Sequence, residues 1–284
     1  MSASYILTLS CPDRIGIVAT VSTFLAVQRC NILDSAQFGD THSRRFFLRI
    51  HFECPDEGPG PDELDSLFAG VAATFNMDWK LHNAARRDRL LIMVSRFGHC
   101  LHDLLYRCAT GAMPGEIVGI VSNHDDMARV AEQYNIPYHY LPLTTETKAE
   151  QEAEVSRLFA ELRADTIILA RYMQILSEDF TARHSGTIIN IHHSFLPSFK
   201  GAAPYQQAFG RGVKLIGATA HYVTADLDEG PIIEQDVARV DHAAGPDELA
   251  AVGRDVESMV LARAVKAHVE HRVLLNGHKT VVFK

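Results

Sequence analysis

Residues 84–94 read AARRDRLLIMV, and the change of pattern within them decides the fold. Before Ala84 the apolar residues alternate or recur at helical spacing. From Arg89 to Val94 they form a nearly unbroken run, as expected of a parallel strand covered on both faces. The chain therefore divides here, into residues 1–84 and residues 85–284.

On the N-terminal side, Tyr5–Ser10 predicts a strand. Ile17, Val18, Val21, Phe24 and Leu25 predict a helix within Arg14–Gln28. Ile32–Phe38 and Arg45–Phe52 predict two more strands, the second alternating through Phe46, Leu48, Ile50 and Phe52. CPDEGPGP (Cys54–Pro61) is a loop by its glycines and prolines. Pro61–Phe75 predicts a helix and Asp78–His82 a fourth strand. The order β-α-β-β-α-β is the split βαβ, ferredoxin-like α+β arrangement.

On the C-terminal side, strands and helices alternate. Further strands are predicted at Ile117–Ser122, Tyr138–Leu141, Thr166–Ala170 and Thr187–Ile191. Helices are predicted at His99–Ala109, Asp125–Tyr134, Lys148–Arg163 and Glu178–His184. This pattern predicts an α/β fold with a doubly wound, mostly parallel sheet. Ligands of such sheets bind beyond the carboxyl ends of the strands. Two strands, Gly217–Thr224 and Ile232–Val240, then flank the turn Asp226–Pro231. A long helix over Asp247–Arg272 and a hairpin turn at Asn276-Gly277 follow.

The totals exclude several classes. The net charge of −8, from 27 Lys+Arg against 35 Asp+Glu, argues against general nucleic-acid binding. No apolar run approaches the roughly 20 residues of a membrane span. MSASYILTLSCPDR at the N-terminus is too short and too soon charged for a signal peptide. The five cysteines (Cys11, Cys30, Cys54, Cys100, Cys108) are odd in number, dispersed and without a CxxC pair. Free thiols in a reducing cytoplasm are the expectation.

The chemistry gathers at residues 190–204, NIHHSFLPSFKGAAP. A strand that starts as Thr187-Ile188-Ile189 ends in an amide and two imidazoles. His192 can exchange protons near neutral pH, Asp228 can orient it, and the Asn190 amide can donate to an oxyanion. Each alone reads better as a strand-end cap or a turn residue. The three together suit attack by water or an amine on a carbonyl. A zinc site at His192, His193 and His221 is disfavoured, because neighbours on a strand face opposite sides, and no metal is expected. Ser194 lacks a Gly-x-Ser-x-Gly elbow. Ser95–His99, with one glycine, is neither a dinucleotide fingerprint nor a P-loop. Met173, Ile175 and Leu176 read as core, or the turn Arg171–Leu176 as the wall of a pocket for a flat heteroaromatic ring. The turn Cys11–Gly16 reads equally as a plain strand–helix connection or as a site for a small carboxylate.

On these residues the chain resembles the formyltetrahydrofolate deformylases over essentially its whole length. CPDRIGIVATVSTFL (Cys11–Leu25), Asn31-Ile32 and FFLRIHF (Phe46–Phe52) are similar to an ACT domain. RYMQILS (Arg171–Ser177), NIHHSFLPSFKGA (Asn190–Ala202) and HYVTADLDEGPIIEQ (His221–Gln235) are similar to the formyltransferase fold of glycinamide ribonucleotide transformylase. The resemblance implies hydrolysis of 10-formyltetrahydrofolate to formate and tetrahydrofolate, supplying formate for purine synthesis and balancing the one-carbon pool. Asn190, His192 and Asp228 match the catalytic residues. Met173, Gln174, Ile175, Leu176, Gly201, Val223 and Asp226 match the folate pocket. The folate is a substrate, and no cofactor is implied. Ser95–Cys100 departs from the transformylase's Gly-rich phosphate loop, which points to water as acceptor. The ACT-like part implies a homo-oligomer that binds an effector such as glycine or methionine at Asp13, Gly16 and Asn31. Lys200, Arg211 and Lys214 are candidates for attracting the glutamate tail of folate, or plain solvated charge.

Overall fold

The computed structural model describes residues 3–55, 57–196 and 204–284. They fall into two units, Met1–Arg87 with Glu270–Lys284, and Asp88–Val269.

The first unit begins β1 (Ala3–Pro12), α1 (Ile17–Val27), β2 (Asn31–Asp40), β3 (Arg45–Cys54), α2 (Pro61–Phe75) and β4 (Asp78–Asn83). The strands form an antiparallel sheet in the order β2-β3-β1-β4. Helix α2 starts with proline in its first turn and carries Asp62 and Glu63 there, where the helix dipole favours negative charge. One sheet face packs Leu7, Leu9, Leu48, Ile50 and Phe52 against Val21, Leu25, Leu64 and Phe68 of the helices. The alternation along β3 accounts for that face.

The second unit runs β5 (Asp88–Val94), α3 (His99–Ala109), β6 (Gly115–Ser122), α4 (Ala128–Gln133), β7 (Tyr138–Tyr140), α5 (Lys148–Glu161) and β8 (Thr166–Leu169). It continues α6 (Glu178–Arg183), β9 (Ile188–His192), α7 (Pro204–Gly210), β10 (Leu215–Tyr222), β11 (Ile232–Arg239) and α8 (Pro246–Val269). The sheet order is β11-β10-β9-β8-β5-β6-β7. Strands β5 to β9 pair in parallel, whereas β10 and β11 are antiparallel. Leu90–Val94 is buried throughout, as its unbroken apolar run requires. The chain reverses its direction of travel across the sheet between β5 and β8, and ligands bind at such switch points. Ser95 ties that edge together. Its hydroxyl donates to Asn123 Oδ1 at 2.8 Å and accepts from the Met173 amide at 3.1 Å. Its own amide donates to the Arg171 carbonyl at 3.2 Å. No helix among the described residues is long and apolar enough to cross a membrane.

Two expectations need correcting. The tail, with β12 (Val273–Asn276) and β13 (Lys279–Val282), groups with the first unit, not the second where the sequence reading kept it. The reason lies on the other face of β3. Arg49 is buried there, and its guanidinium donates to the carbonyls of Glu270 at 3.0 Å and His271 at 3.2 Å, and to Asp34 at 3.2 Å. Asn276 donates to Asp40 at 2.7 Å. The long helix accordingly stops at Val269 instead of Arg272. The thiols are also not all free, because Cys30 and Cys54 form a disulfide. Asn31 pairs with Glu53 across β2 and β3, which sets Cys30 beside Cys54 with Cα atoms 4.3 Å apart. Register of this kind is invisible in cysteine spacing.

Arg49→Met strands the two tail carbonyls and Asp34. It should lower stability by about 2–3 kcal/mol, since hydrogen bonds to charged groups are worth roughly 1.5–3 kcal/mol each. Urea denaturation measures this, and proteolysis should trim the tail of the variant before its core.

Candidate active site

Strand β9 enters the core through Ile188 and Ile189 and reaches the sheet edge at Asn190. Asn190 and His192 lie two residues apart, so both face one side. Strand β10 runs antiparallel beside β9, and its register sets His221 opposite Asn190. The chain then turns back through Asp226–Gly230. A Cβ on Gly230 would lie 1.7 Å from the Tyr222 carbonyl oxygen, so nothing larger than hydrogen fits there. The close approach lets the Tyr222 amide donate to the Pro231 carbonyl at 2.9 Å. Asp228 takes a left-handed conformation (φ 58°), which Asp tolerates better than most residues.

That turn brings Asp228 Oδ2 to 3.3 Å from His192 Nδ1, with both side chains largely buried. Burial alone would raise the Asp228 pKa. The lowering effects of His192 and His221, taken together, outweigh it and hold the carboxyl well below the usual carboxylate range. His221 Nε2 stands 3.7 Å from Asp228 Oδ1, too far for a hydrogen bond. His221 Nδ1 lies 2.9 Å from the Tyr222 carbonyl, which can only accept, so Nδ1 carries the proton. Its Nε2 then accepts from Asn190 Nδ2 at 3.3 Å, which fixes the orientation of the Asn190 amide. Sequence reasoning weighed His221 as a metal ligand alone. The motif HYVTADLDEG was a signal for it, but its role needed the order of β9 and β10.

These groups open onto a cleft of about 440 Å³. Met173, Gln174, Ile175, Leu176, Val223 and Asp226 all line it. Met173 is 50% and Ile175 62% exposed, so neither is core. Leu176 and Val223 pack partly against the sheet's apolar cluster. Gly201 and Lys200 lie outside the described residues. Arg211 and Lys214 are exposed and do not line the cleft.

The Ser95–His99 turn is closely packed. A Cβ on Gly98 would lie 2.4 Å from Met127 Sδ, so the Ser95–His99 turn packs directly on that side chain. His99 Nε2 meets Glu257 Oε2 at 2.7 Å, and the Tyr205 hydroxyl donates to Glu257 Oε1 at 2.5 Å. Arg171 Nε lies 3.3 Å from the same carboxylate. Burial would raise the Glu257 pKa, but the hydrogen bond from His99 and the Arg171 charge lower it. His99, Cys100 and Glu257 have ligand-type atoms within 4.8 Å of one another. Arg171 already supplies the positive charge there. The expectation that His192 and His193 face opposite sides fails, because β9 stops at His192. The two rings stack, 5.0 Å apart and 21° from parallel.

In the first unit, Gly16 (φ 98°) forms the N-cap of α1 and Asp13 lies beside Gly39. Asn31 stands at the other end of β2 from Gly39, so one chain does not gather these three residues around one ligand.

A family model described as "Formyl transferase" matches residues 88–265. A formyltetrahydrofolate deformylase of Corynebacterium sp. (strain P-1) is 48% identical over 283 residues, 99% of this chain and 98% of that one. The crystal structure of formyltetrahydrofolate deformylase from Burkholderia mallei is 53% identical with a TM-score of 0.94, covering 99% of this chain and 100% of its own. The chain belongs to the formyltetrahydrofolate deformylase family. Glycinamide ribonucleotide transformylase 1 from Symbiobacterium toebii is similar over 70% of this chain and 95% of its own, at 26% identity and a TM-score of 0.66. Deformylase relatives thus align with both units, whereas the transformylase covers a smaller share.

Gly230→Ala forces the turn away from Tyr222 and carries Asp228 with it. Stability should fall by about 1–3 kcal/mol, the usual cost of overpacking, and activity by about 100-fold, as for a misplacement of roughly 1 Å. Urea denaturation and steady-state assays measure the two. A second outcome concerns pH. The fold depresses the Asp228 pKa, so ionised Asp228 stabilises the protein above the ordinary carboxylate value near 3.9. That contribution is lost as pH falls through the folded-state value. The fall of Tm below about pH 4 should therefore be shallower in Asp228→Asn.

Proposed function

We propose that this chain hydrolyses 10-formyltetrahydrofolate to formate and tetrahydrofolate, with Asn190, His192 and Asp228 as its catalytic residues. The observation that carries the reading is the Asp228–His192 pair at 3.3 Å, at the mouth of the cleft and opposite the Asn190 amide. The relatives' names supply the substrate. Asp228 holds the proton on His192 Nδ1, which leaves Nε2 as the base. Water attacks the formyl carbon and gives one proton to Nε2. The carbonyl electron pair moves onto oxygen, and the remaining N–H of Asn190 donates to it. The imidazolium, stabilised by Asp228, returns its proton to the departing folate nitrogen as the C–N bond breaks. Both Asp228 oxygens face imidazoles, so the attacking water falls to His192 and not to the carboxylate.

Met173–Leu176 and Val223–Asp228 form the two walls for the folate ring, with Met173 and Ile175 offering apolar contact. Gly201 belongs to the same pocket by resemblance. No further cofactor enters this scheme, and we place the reaction in the cytoplasm. The packing of Gly98 on Met127 and the pairing of His99 with Glu257 favour water over a nucleotide amine. The first unit we assign as an ACT-like regulatory domain that binds an amino acid such as glycine or methionine. Asp13 and Gly16 lie far from Asn31 within one copy, which favours a ligand site shared between paired copies and hence a homo-oligomer.

The test is formate release from 10-formyltetrahydrofolate with no amine added. Steady release is expected. Asn190→Ala should lower it by about 10²–10³, the usual cost of one oxyanion donor, and Asp228→Asn at least as much. Release that requires an added amine would replace hydrolysis with transfer.

A further inference from the structure

Buried side-chain nitrogens without a hydrogen-bond partner occur at four described residues: His139, Arg171, His192 and His193. Three of the four, Arg171, His192 and His193, line the same cleft. An unpaired buried polar group costs about 1–3 kcal/mol, so three together call for a common cause. The Arg171 side chain is 10% exposed. Its Nε faces Glu257 as an ion pair but lacks hydrogen-bond geometry, and its Nη1 has no acceptor among the described residues. Arg171 also holds a left-handed backbone (φ 65°), a strain that persists when the surroundings over-determine it. Its carbonyl is pinned by the Ser95 amide at 3.2 Å. The His192 and His193 rings stack with centroids 5.0 Å apart, and both residues line the cleft.

We propose that Arg171 and His193, with His192 Nε2, hold the hydrolytic water. The inference rests on the reading of His192 as the base. The water donates one O–H to each Nε2 and accepts from Arg171 Nη1. Its remaining lone pair faces the formyl carbon. As the new C–O bond forms, the proton on the His192 side moves to that Nε2, and the carbonyl pair becomes the oxyanion. The proton returns to the folate nitrogen when the C–N bond breaks. The formic acid so formed ionises, and its carboxylate faces the Arg171 guanidinium. His193 suits an acceptor's role. Burial first, and then the Arg171 charge, pull its pKa down to about 4, so it is neutral where the enzyme works. A neutral imidazole keeps one nitrogen as acceptor.

The test compares kcat and KM for formate release in the full-length protein and its variants. His193→Leu removes the acceptor and should lower kcat by about 100-fold, as for lost positioning, with KM changed by no more than about twofold. His193→Asn, which keeps an acceptor oxygen, should recover about tenfold of that loss, a rescue that mere packing would not give. Arg171→Met should also lower kcat. Because it deprives Glu257 of a partner, thermal melts must show that it folds, and the His193 pair decides the matter without it. Unchanged kcat in His193→Leu, or a change confined to KM, would falsify the water site and leave His193 as a pocket wall. Loss of activity in Asp228→Asn beside normal turnover in His193→Leu sinks the water site alone. Normal turnover in Asp228→Asn sinks the catalytic set instead.

Discussion

The antiparallel pairing of β9 with β10 is the contact on which the site depends. It sets His221 opposite Asn190, and it aims the following turn back toward His192. The turn closes through the contact of Gly230 with the Tyr222 carbonyl, where a side chain has no room. Asp228 then reaches His192 from a strained backbone that a short acidic residue can hold. The geometry of the site is therefore a matter of backbone register first and side-chain chemistry second. Two residues of β9, one of β10 and one of the connection from β10 to β11 come together there.

A second layer is electrostatic. Glu257 is fully buried, and a buried carboxylate is costly unless paired and hydrogen-bonded. His99, Tyr205 and Arg171 supply those partners. The arrangement holds Arg171 in the cleft that His192 and His193 also line. The same arginine balances a buried charge and lines the cleft.

Within the first unit, the sheet makes contacts on both faces. Phe46, Leu48, Ile50 and Phe52 meet the helices, while Arg49 binds tail carbonyls on the reverse. A charged residue in the middle of an apolar strand reads as solvent-facing by alternation. Its long, flat guanidinium instead satisfies backbone acceptors that would otherwise be buried alone. The disulfide between Cys30 and Cys54 clasps the start of β2 to the end of β3 in the same unit.

The sequence by itself determined the elements and their kinds, because hydrophobic period is local. Pro61–Phe75 and His99–Ala109 are helices with the bounds their patterns predict, and RLLIMV is a buried parallel strand. It also singled out Asn190, His192 and Asp228, since an Asn-x-His at a strand end puts both side chains on one face. Tertiary structure alone decided which groups meet them. His221 depends on strand order, Arg171 on its own left-handed backbone just beyond β8, and Glu257 on the packing of α8. The stacked His192–His193 pair exists because the strand stops one residue earlier than alternation would assume. Pairing of Cys30 with Cys54, and capture of the tail by Arg49, join positions 24 and more than 200 residues apart. No local period carries information over such distances, and register and packing settle them.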